Sequence, residues 1–418
     1  MSDAYAVIDE ALEMLSGYGP DLGNGFTNHA PMVVEALCAL GRPSSVLPWL
    51  EGYRARMLPR PARHQQIRAD QWRAALADEQ RFADWSAFFS EELRDNPWRA
   101  VVRRWTARLA PGVSAAATHG VIRVGHAVRA LAAGTSPMRL ASLADGLAYW
   151  AATYQELPVR EVAGAPTWRP RDAITRVALV PPERRRFAGT IGSSLEALAD
   201  WPDCATAIGL LDVSGDLAAL TSELAEVFAR VYLANARDAL SAIVFIHAVT
   251  STAAVSHIRP YLDVAGARAL VRFVWQAGCG LFAAFGSAGP AAAHPGSTRA
   301  HGTALIDLAI EQEMSTASNS PRRVCTRMRW RRRPCTPLPR GTRSACCGAR
   351  ERYDGRGANA ESSRRQLHSA ATRLNVSAVS GAFYMARAAT CAFFSVSDCR
   401  LKNEPIRSRN LANADSVS

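Results

Sequence analysis

The chain has 418 residues, 48% of them hydrophobic, which is enough to bury a large core as one big domain or two. Its formal charge of +12 is not evenly spread: residues 313–418 hold 20 of the 49 Lys and Arg and 7 of the 37 Asp and Glu, a net of +13, leaving −1 on residues 1–312. The near-neutral body gives no electrostatic case for an acidic partner, and no basic–apolar–small leader opens the sequence, so no signal peptide is expected.

The first element is predicted in "DAYAVIDEALEMLSGYG", where Asp3 stands in a capping position and Ala6, Ile8, Leu12 and Leu15 share a face until Gly17 and Gly19. "NHAPMVVEALCALGRP" repeats the pattern, with Asn28 as cap, Pro31 in the first turn and Gly41 and Pro43 at the end. Further helices are predicted at 70–94, 114–134, 141–156, 191–200, 216–236, 237–255 and 263–286. "TRVALVPP" (175–182) is the best strand candidate and is short, while 157–173 and 286–299 read as loops. The most apolar stretch, residues 269–286, carries Arg272 and is short for a membrane span, so it reads as a buried core helix. The fold class expected is all-α: one large multi-helix domain over residues 1–312.

No repeat of fixed period occurs, and there is no Walker loop. "GCGLFAAFG" has the wrong spacing for a dinucleotide fingerprint and lies inside a helix. The body cysteines, Cys38, Cys204 and Cys279, are isolated from one another, the pattern of a reduced, cytoplasmic protein.

Four histidines stand inside helices. His29 begins the second helix; His119 and His126 lie two turns apart in "THGVIRVGHAVRAL"; His247 interrupts the apolar "SAIVFIHAVTSTAAV". Each taken alone reads as a core histidine satisfied by one hydrogen bond; taken together they are candidate ligands, since neutral imidazole suits iron, zinc or copper. Spacing does not choose between these readings, because no H-x-x-x-H motif occurs. His64, in a polar loop, and His257, His294 and His301, near helix ends or Pro/Gly loops, read as ordinary. Thr250, Ser251 and Thr252 lie near His247 without a Gly-x-Ser-x-Gly elbow and read as helix-packing hydroxyls.

Five blocks, "NHAPMVVEALCALGR", "LPWLEGYRARM", "THGVIRVGHAVRAL", "LADGLAYWAATYQELP" and "FIHAVTSTAAVSHIRPYL", occur in an order that resembles the questin oxidase-like family over roughly residues 20–310. The resemblance implies an all-helical oxygenase that opens a ring of anthraquinone-type aromatic polyketides by Baeyer–Villiger-type oxidation. Its partners would be a small aromatic substrate and molecular oxygen, with no nucleic acid, no membrane and the oligomeric state left open. The implied cofactor is Fe2+, held by helix-borne histidines and a carboxylated lysine, and NADPH is admitted as a reductant. Carried over motif by motif, the metal ligands are His29, His119 and His247, with His126 the alternative to His119 and Arg123 lining the pocket.

The resemblance fails after "GTALIDLAIE". Family members usually continue with a segment like D-E-H-x-I-K-x-T-E-A, whose His and Lys would supply the last two ligands. Here Gln312 leads into "EMSTASNSPRRVC", and the only lysine in the chain is Lys402. Permitted codons from Glu313 to Trp330, shifted by two bases, read D-E-H-G-I-K-L-T-E-A-C-L, and a frameshift near Gln312 or Glu313 is the expected origin of the tail. The tail reads accordingly as an aberrant, poorly ordered segment. Its arginines with Trp330 could otherwise form a nucleic-acid-binding arm, and Cys325, Cys335, Cys346 and Cys347 a zinc site, though no C-x-x-C pair occurs. The function expected is therefore a family oxygenase impaired by the loss of its C-terminal His/Lys segment, the alternative being an inactive pseudoenzyme or a basic-tail nucleic-acid binder.

Overall fold

Apolar residues recur at helical spacing along most of the chain. In the computed structural model, which describes residues 3–160, 168–186 and 190–290, that spacing becomes twelve α-helices among the described residues. They are α1 (Ile8–Leu15), α2 (Ala30–Ala39), α3 (Val46–Tyr53), α4 (Phe82–Asp95), α5 (Trp98–Leu109) and α6 (His119–Ala133). After these come α7 (Pro137–Ala152), α8 (Pro170–Ala173), α9 (Ile191–Glu196), α10 (Leu217–Asn235), α11 (Ala239–Ile258) and α12 (Val264–Phe285). The fold is all-α, a single multi-helix domain. The expected domain end at 312 and the tail from 313, with its cysteines and Lys402, lie outside the described residues, as do His294 and His301.

Helix starts follow side-chain capping where a cap exists. Asp238 and Ser241 form a reciprocal capping box at α11, Asp263 Oδ1 accepts from Gly266 N at 2.7 Å at α12, and Asp216 caps α10. Those three helices lie within three residues of the predicted bounds. Asp3 does not cap α1: it opens a 3-10 turn, and Val7 stands at the cap position without a side-chain bond.

Three other expectations are corrected. The predicted 70–94 helix is two 3-10 turns followed by α4, because Ala77 adopts φ +60° and breaks the path. The predicted 114–134 helix begins only at His119, after a left-handed turn. The strand candidate at 175–182 pairs with no strand; Ile174–Arg176 is a 3-10 turn, and Val180 N donates to Ala283 O at 2.9 Å, pinning the segment to the end of α12. The pairing that does form joins β1 (Tyr18–Leu22) to β2 (Met57–Pro59), antiparallel with a register irregularity.

A large core runs through α4–α7 and α10–α12, and a smaller one of Ile8, Leu12, Val33, Leu37, Trp49 and Leu50 joins α1–α3. Trp85, Phe88, Phe89 and Trp105 pack ring to ring at centroid distances of 4.9–6.0 Å. Helix α6 runs between α7 and α11, and two glycines permit the approach. A Cβ on Gly120 would stand 2.7 Å from Trp150 atoms, and one on Gly125 2.6 Å from Ala254 Cβ. Leu240–Tyr261 is long and apolar enough to cross a membrane, but 78% of an 18-residue apolar stretch within it is buried inside the protein. The 264–285 helix is a core helix, as expected, and Cys38, Cys204 and Cys279 are free and buried.

Candidate metal and substrate site

Three segments deliver imidazoles to one place. The first is held by β1 and its turn: Asn28 N donates to Pro20 O at 2.7 Å and Asn28 Nδ2 to Gly19 O at 3.0 Å. Asn28 Oδ1 accepts from Ala30 N at 3.0 Å, which leaves His29 at the N-cap of α2, where its backbone N–H donates to Tyr53 OH.

The second segment is strained. Ala116, Ala117 and Thr118 have φ of +44°, +56° and +74°, three consecutive non-glycine residues in the left-handed region. Each costs about 1–2 kcal/mol, so the rest of the fold must hold them there. The turn closes on the first residue of α6: His119 Nδ1 lies 2.5 Å from Ala116 O. Since a carbonyl only accepts, that nitrogen carries the proton and Nε2 carries the lone pair in the neutral ring.

The third imidazole, His247, lies fully buried in α11. Its Nδ1 is 2.6 Å from Ile243 O, so its Nε2 likewise carries the lone pair, and its own carbonyl accepts from Thr118 Oγ1 at 3.4 Å.

The rings meet edge to face. His29 and His119 have centroids 4.9 Å apart and Nε2 atoms 2.9 Å apart; His119 and His247 have centroids 4.8 Å apart. A 2.9 Å nitrogen pair suits an N–H···N hydrogen bond, and equally two cis ligands on one ion with bonds of about 2.0–2.1 Å. Anchoring of Nδ1 on a main-chain carbonyl is the usual support of a histidine ligand. The donor chemistry thus fits an imidazole-ligated metal, while the set is incomplete. Among the described residues no group of three or more His, Cys, Asp or Glu side chains is arranged to hold a metal ion.

His126 faces a different cluster. Its Nδ1 lies 2.5 Å from Glu35 Oε2, and Glu35 also accepts from Arg129 Nε (2.7 Å), Arg129 Nη2 (2.5 Å) and Tyr5 OH (2.6 Å). His257 Nε2 lies 3.3 Å from Arg129 Nη1. Burial alone would raise the Glu35 pKa, but Arg129 and His126 outweigh it and hold the carboxylate below its ordinary range. Burial and then Arg129 push His257 down to about 3, and burial lowers His126 against the pull of Glu35. Sequence reading passed over this network, taking His257 as ordinary. Its one signal was Glu35, a lone carboxylate in the apolar "PMVVEALCAL".

Beside the trio, Arg123 stands one turn beyond His119 on α6, with its guanidinium 5.1 Å from the Tyr149 ring centroid. Tyr149 OH lies 2.9 Å from Thr27 Oγ1 and donates to Asp21 Oδ1 at 3.3 Å; burial raises both the Tyr149 and Asp21 pKa values. Arg123 lines a small crevice with Pro31, Met32, Glu35, His126 and Ser142. Thr250 and Thr252 return their hydroxyls to Ile246 O and Ala248 O, and Ser251 to Ala248 O, in keeping with packing roles.

Among the described residues the body is an all-α domain that brings three buried imidazoles from separate segments into contact. Residues 26–297 match the family model described as questin oxidase-like, and the chain belongs to that family, one of oxygenase type. No match is found among curated proteins.

Proposed function

We propose that the chain is an oxygenase that opens a ring of an anthraquinone-type aromatic polyketide, with His29, His119 and His247 as ligands of Fe2+. The observation that supports this most directly is the contact of three buried imidazoles, two of them oriented by main-chain carbonyls. Bound there, Fe2+ would supply the one-electron chemistry that dioxygen needs to react with a closed-shell ring. The chain's own part is to keep the imidazoles neutral, exclude water with α6, α7 and α11, and present Arg123 and Tyr149 beside them. If both oxygen atoms enter the product, no external reductant is required; if one leaves as water, NADPH must provide two electrons.

The activity of this chain is impaired on the same reading. The family's His/Lys segment has no counterpart after Gln312, and a frameshift near Gln312 or Glu313 is the proposed cause. The test is metal analysis of this chain beside one whose C-terminus is restored to the neighbouring frame. Substoichiometric iron in the first and near-full iron with anthraquinone-dependent oxygen uptake in the second is the expected result. Full iron and turnover in the chain as it stands would overturn the impairment, and an unbroken frame on resequencing would overturn its cause.

A second reading, an inactive family member, is favoured by the incomplete ligand set among the described residues. It predicts no metal even with the restored segment. Nucleic-acid binding would rest on the +13 tail alone and would vanish on deletion of residues 313–418. The proposed location is cytoplasmic, in keeping with three buried free cysteines.

A further inference from the structure

Among the described residues Arg139 and Arg123 are buried and Arg129 is partly buried, and the three are not alike. Arg139 is 2% exposed and donates to Asp9, Ala130 O, Gly134 O and Tyr5 O. Arg129 is tied to Glu35 by two hydrogen bonds. Arg123 is 6% exposed, and its buried Nη1 has no hydrogen-bond partner.

Its carboxylate neighbours are engaged elsewhere. Asp145 is held by Arg60 at 2.6 and 2.9 Å and by Ser86 at 2.6 Å, and Asp21 accepts from Tyr149. Both attract the Arg123 charge without bonding to it. A guanidinium cannot shed its proton to escape burial, and an unpartnered buried charge is among the costliest features a core can carry. The Tyr149 ring offsets part of that cost through its face and leaves Nη1 without an acceptor.

Position indicates what Nη1 meets. The crevice that Arg123 lines measures about 10 Å³, at the lower limit of the space that one water-sized atom needs. It is lined by Pro31 and Met32, two and three residues past His29 at the start of α2, and Arg123 lies one helical turn from His119. Glu35 also lines it, but its charge is covered by Tyr5, His126 and Arg129, so an anion entering meets a neutralised carboxylate. A water would satisfy one N–H but would not offset the charge.

We propose that Arg123 binds the ionised oxygen of the ligand, a phenolate on a planar hydroxylated aromatic, and so orients the ring beside the three imidazoles. This rests on the aromatic-substrate reading above. Removing one charge-assisted hydrogen bond of this kind should weaken binding about tenfold or more.

The probes are 1,8-dihydroxyanthraquinone and its dimethyl ether, titrated into the full chain and followed by visible absorption below the free dye's ionisation pH. The dihydroxy dye should bind with its phenolate band. In Arg123→Gln that band should be lost and affinity should fall about tenfold or more. The ether, which cannot ionise, should bind both proteins alike. A bound dye with a neutral spectrum, or equal losses for both ligands, would overturn the proposal while leaving the aromatic-substrate reading intact. Binding of neither ligand to the wild-type chain would overturn that reading, and this proposal with it. As a second check, Arg123→Met should unfold at the same or a higher temperature, since it removes an unpartnered charge. Marked destabilisation would show that Arg123 already has its partner within the fold and would overturn the proposal.

Discussion

His119 Nε2 lies 2.9 Å from His29 Nε2, a contact between residues ninety positions apart. Because His119 Nδ1 is committed to Ala116 O, the shared edge carries the lone pair of His119 toward His29. If the pair ligates a metal with His247, His119→Ala should lower Co2+ or Fe2+ affinity at least about tenfold. Equilibrium dialysis followed by elemental analysis measures this, and equal binding by both proteins would remove His119 from the ligand set. His126→Ala should leave metal affinity nearly unchanged, because His126 faces Glu35.

The left-handed run before His119 makes a second prediction. At Ala117, φ +56°, the backbone conformation is one that glycine adopts freely and alanine does not. Ala117→Gly should therefore raise stability, by about 1 kcal/mol and a few degrees in Tm, where glycine elsewhere usually lowers it. Thermal unfolding checks the sign. If the strain serves the site, metal or ligand affinity should fall in the same variant as His119 loses its fixed orientation.

Acid should destabilise the fold in two stages. His257 is held neutral, its pKa pushed down to about 3 by burial and Arg129, so the unfolded chain binds the proton that the folded one refuses. Its contribution is fully present above the unfolded value of about 6.5 and declines as pH falls from there, by roughly 1.4 kcal/mol per pH unit. Glu35 has the opposite chemistry and the same direction: its folded pKa is lowered, so its contribution is complete above about 4.5 and is lost below. Urea unfolding of His257→Asn between pH 6.5 and 5 should show a slope shallower by about one proton. An unchanged slope would mean that His257 is solvated.

The network also predicts a non-additive pair. Glu35→Gln leaves Arg129 without its carboxylate in a buried setting and should cost about 3–5 kcal/mol. Arg129→Met added to it should recover a large part of that loss. A double-mutant cycle by denaturant unfolding measures the coupling, and strict additivity would contradict the ion pair.

Much of this was legible in the residues. The helices from Leu217 to Phe285 announced themselves through Asp216, Asp238 and Asp263 followed by long apolar runs, and they lie where capping placed them. His29, His119 and His247 were candidates by motif, and the fold brings them together. What was hidden depended on tertiary geometry. "YGPDLGNG" reads as a helix stop, yet Tyr18–Leu22 pairs with Met57–Pro59 because a partner forty residues on closes its hydrogen bonds. The positive φ at Ala116–Thr118 falls on residues that ordinarily extend a helix, so no local signal marks it. Whether His126 or His119 joins His29 could not be read from a seven-residue spacing that puts both on one face; Glu35, on another helix, separates them.

Gly125 tests the packing that holds the site together. An added Cβ there would stand 2.6 Å from Ala254 Cβ and 2.8 Å from Ala254 Cα, so α6 and α11 would have to part. Those two helices carry His119 and His247, whose rings lie 4.8 Å apart, and a shift of a few tenths of an ångström would be felt there. Gly125→Ala should destabilise by about 1–3 kcal/mol. Ala254→Gly, added to it, removes the closest contact and leaves those to the Ala254 backbone, so it should restore only part of the loss. Denaturant unfolding reports the stability, and metal affinity reports the spacing of the two histidines. Partial recovery of both in the double variant would show that this glycine sets the distance between α6 and α11, whereas a Gly125→Ala chain of wild-type stability would show that the helices are not in contact there.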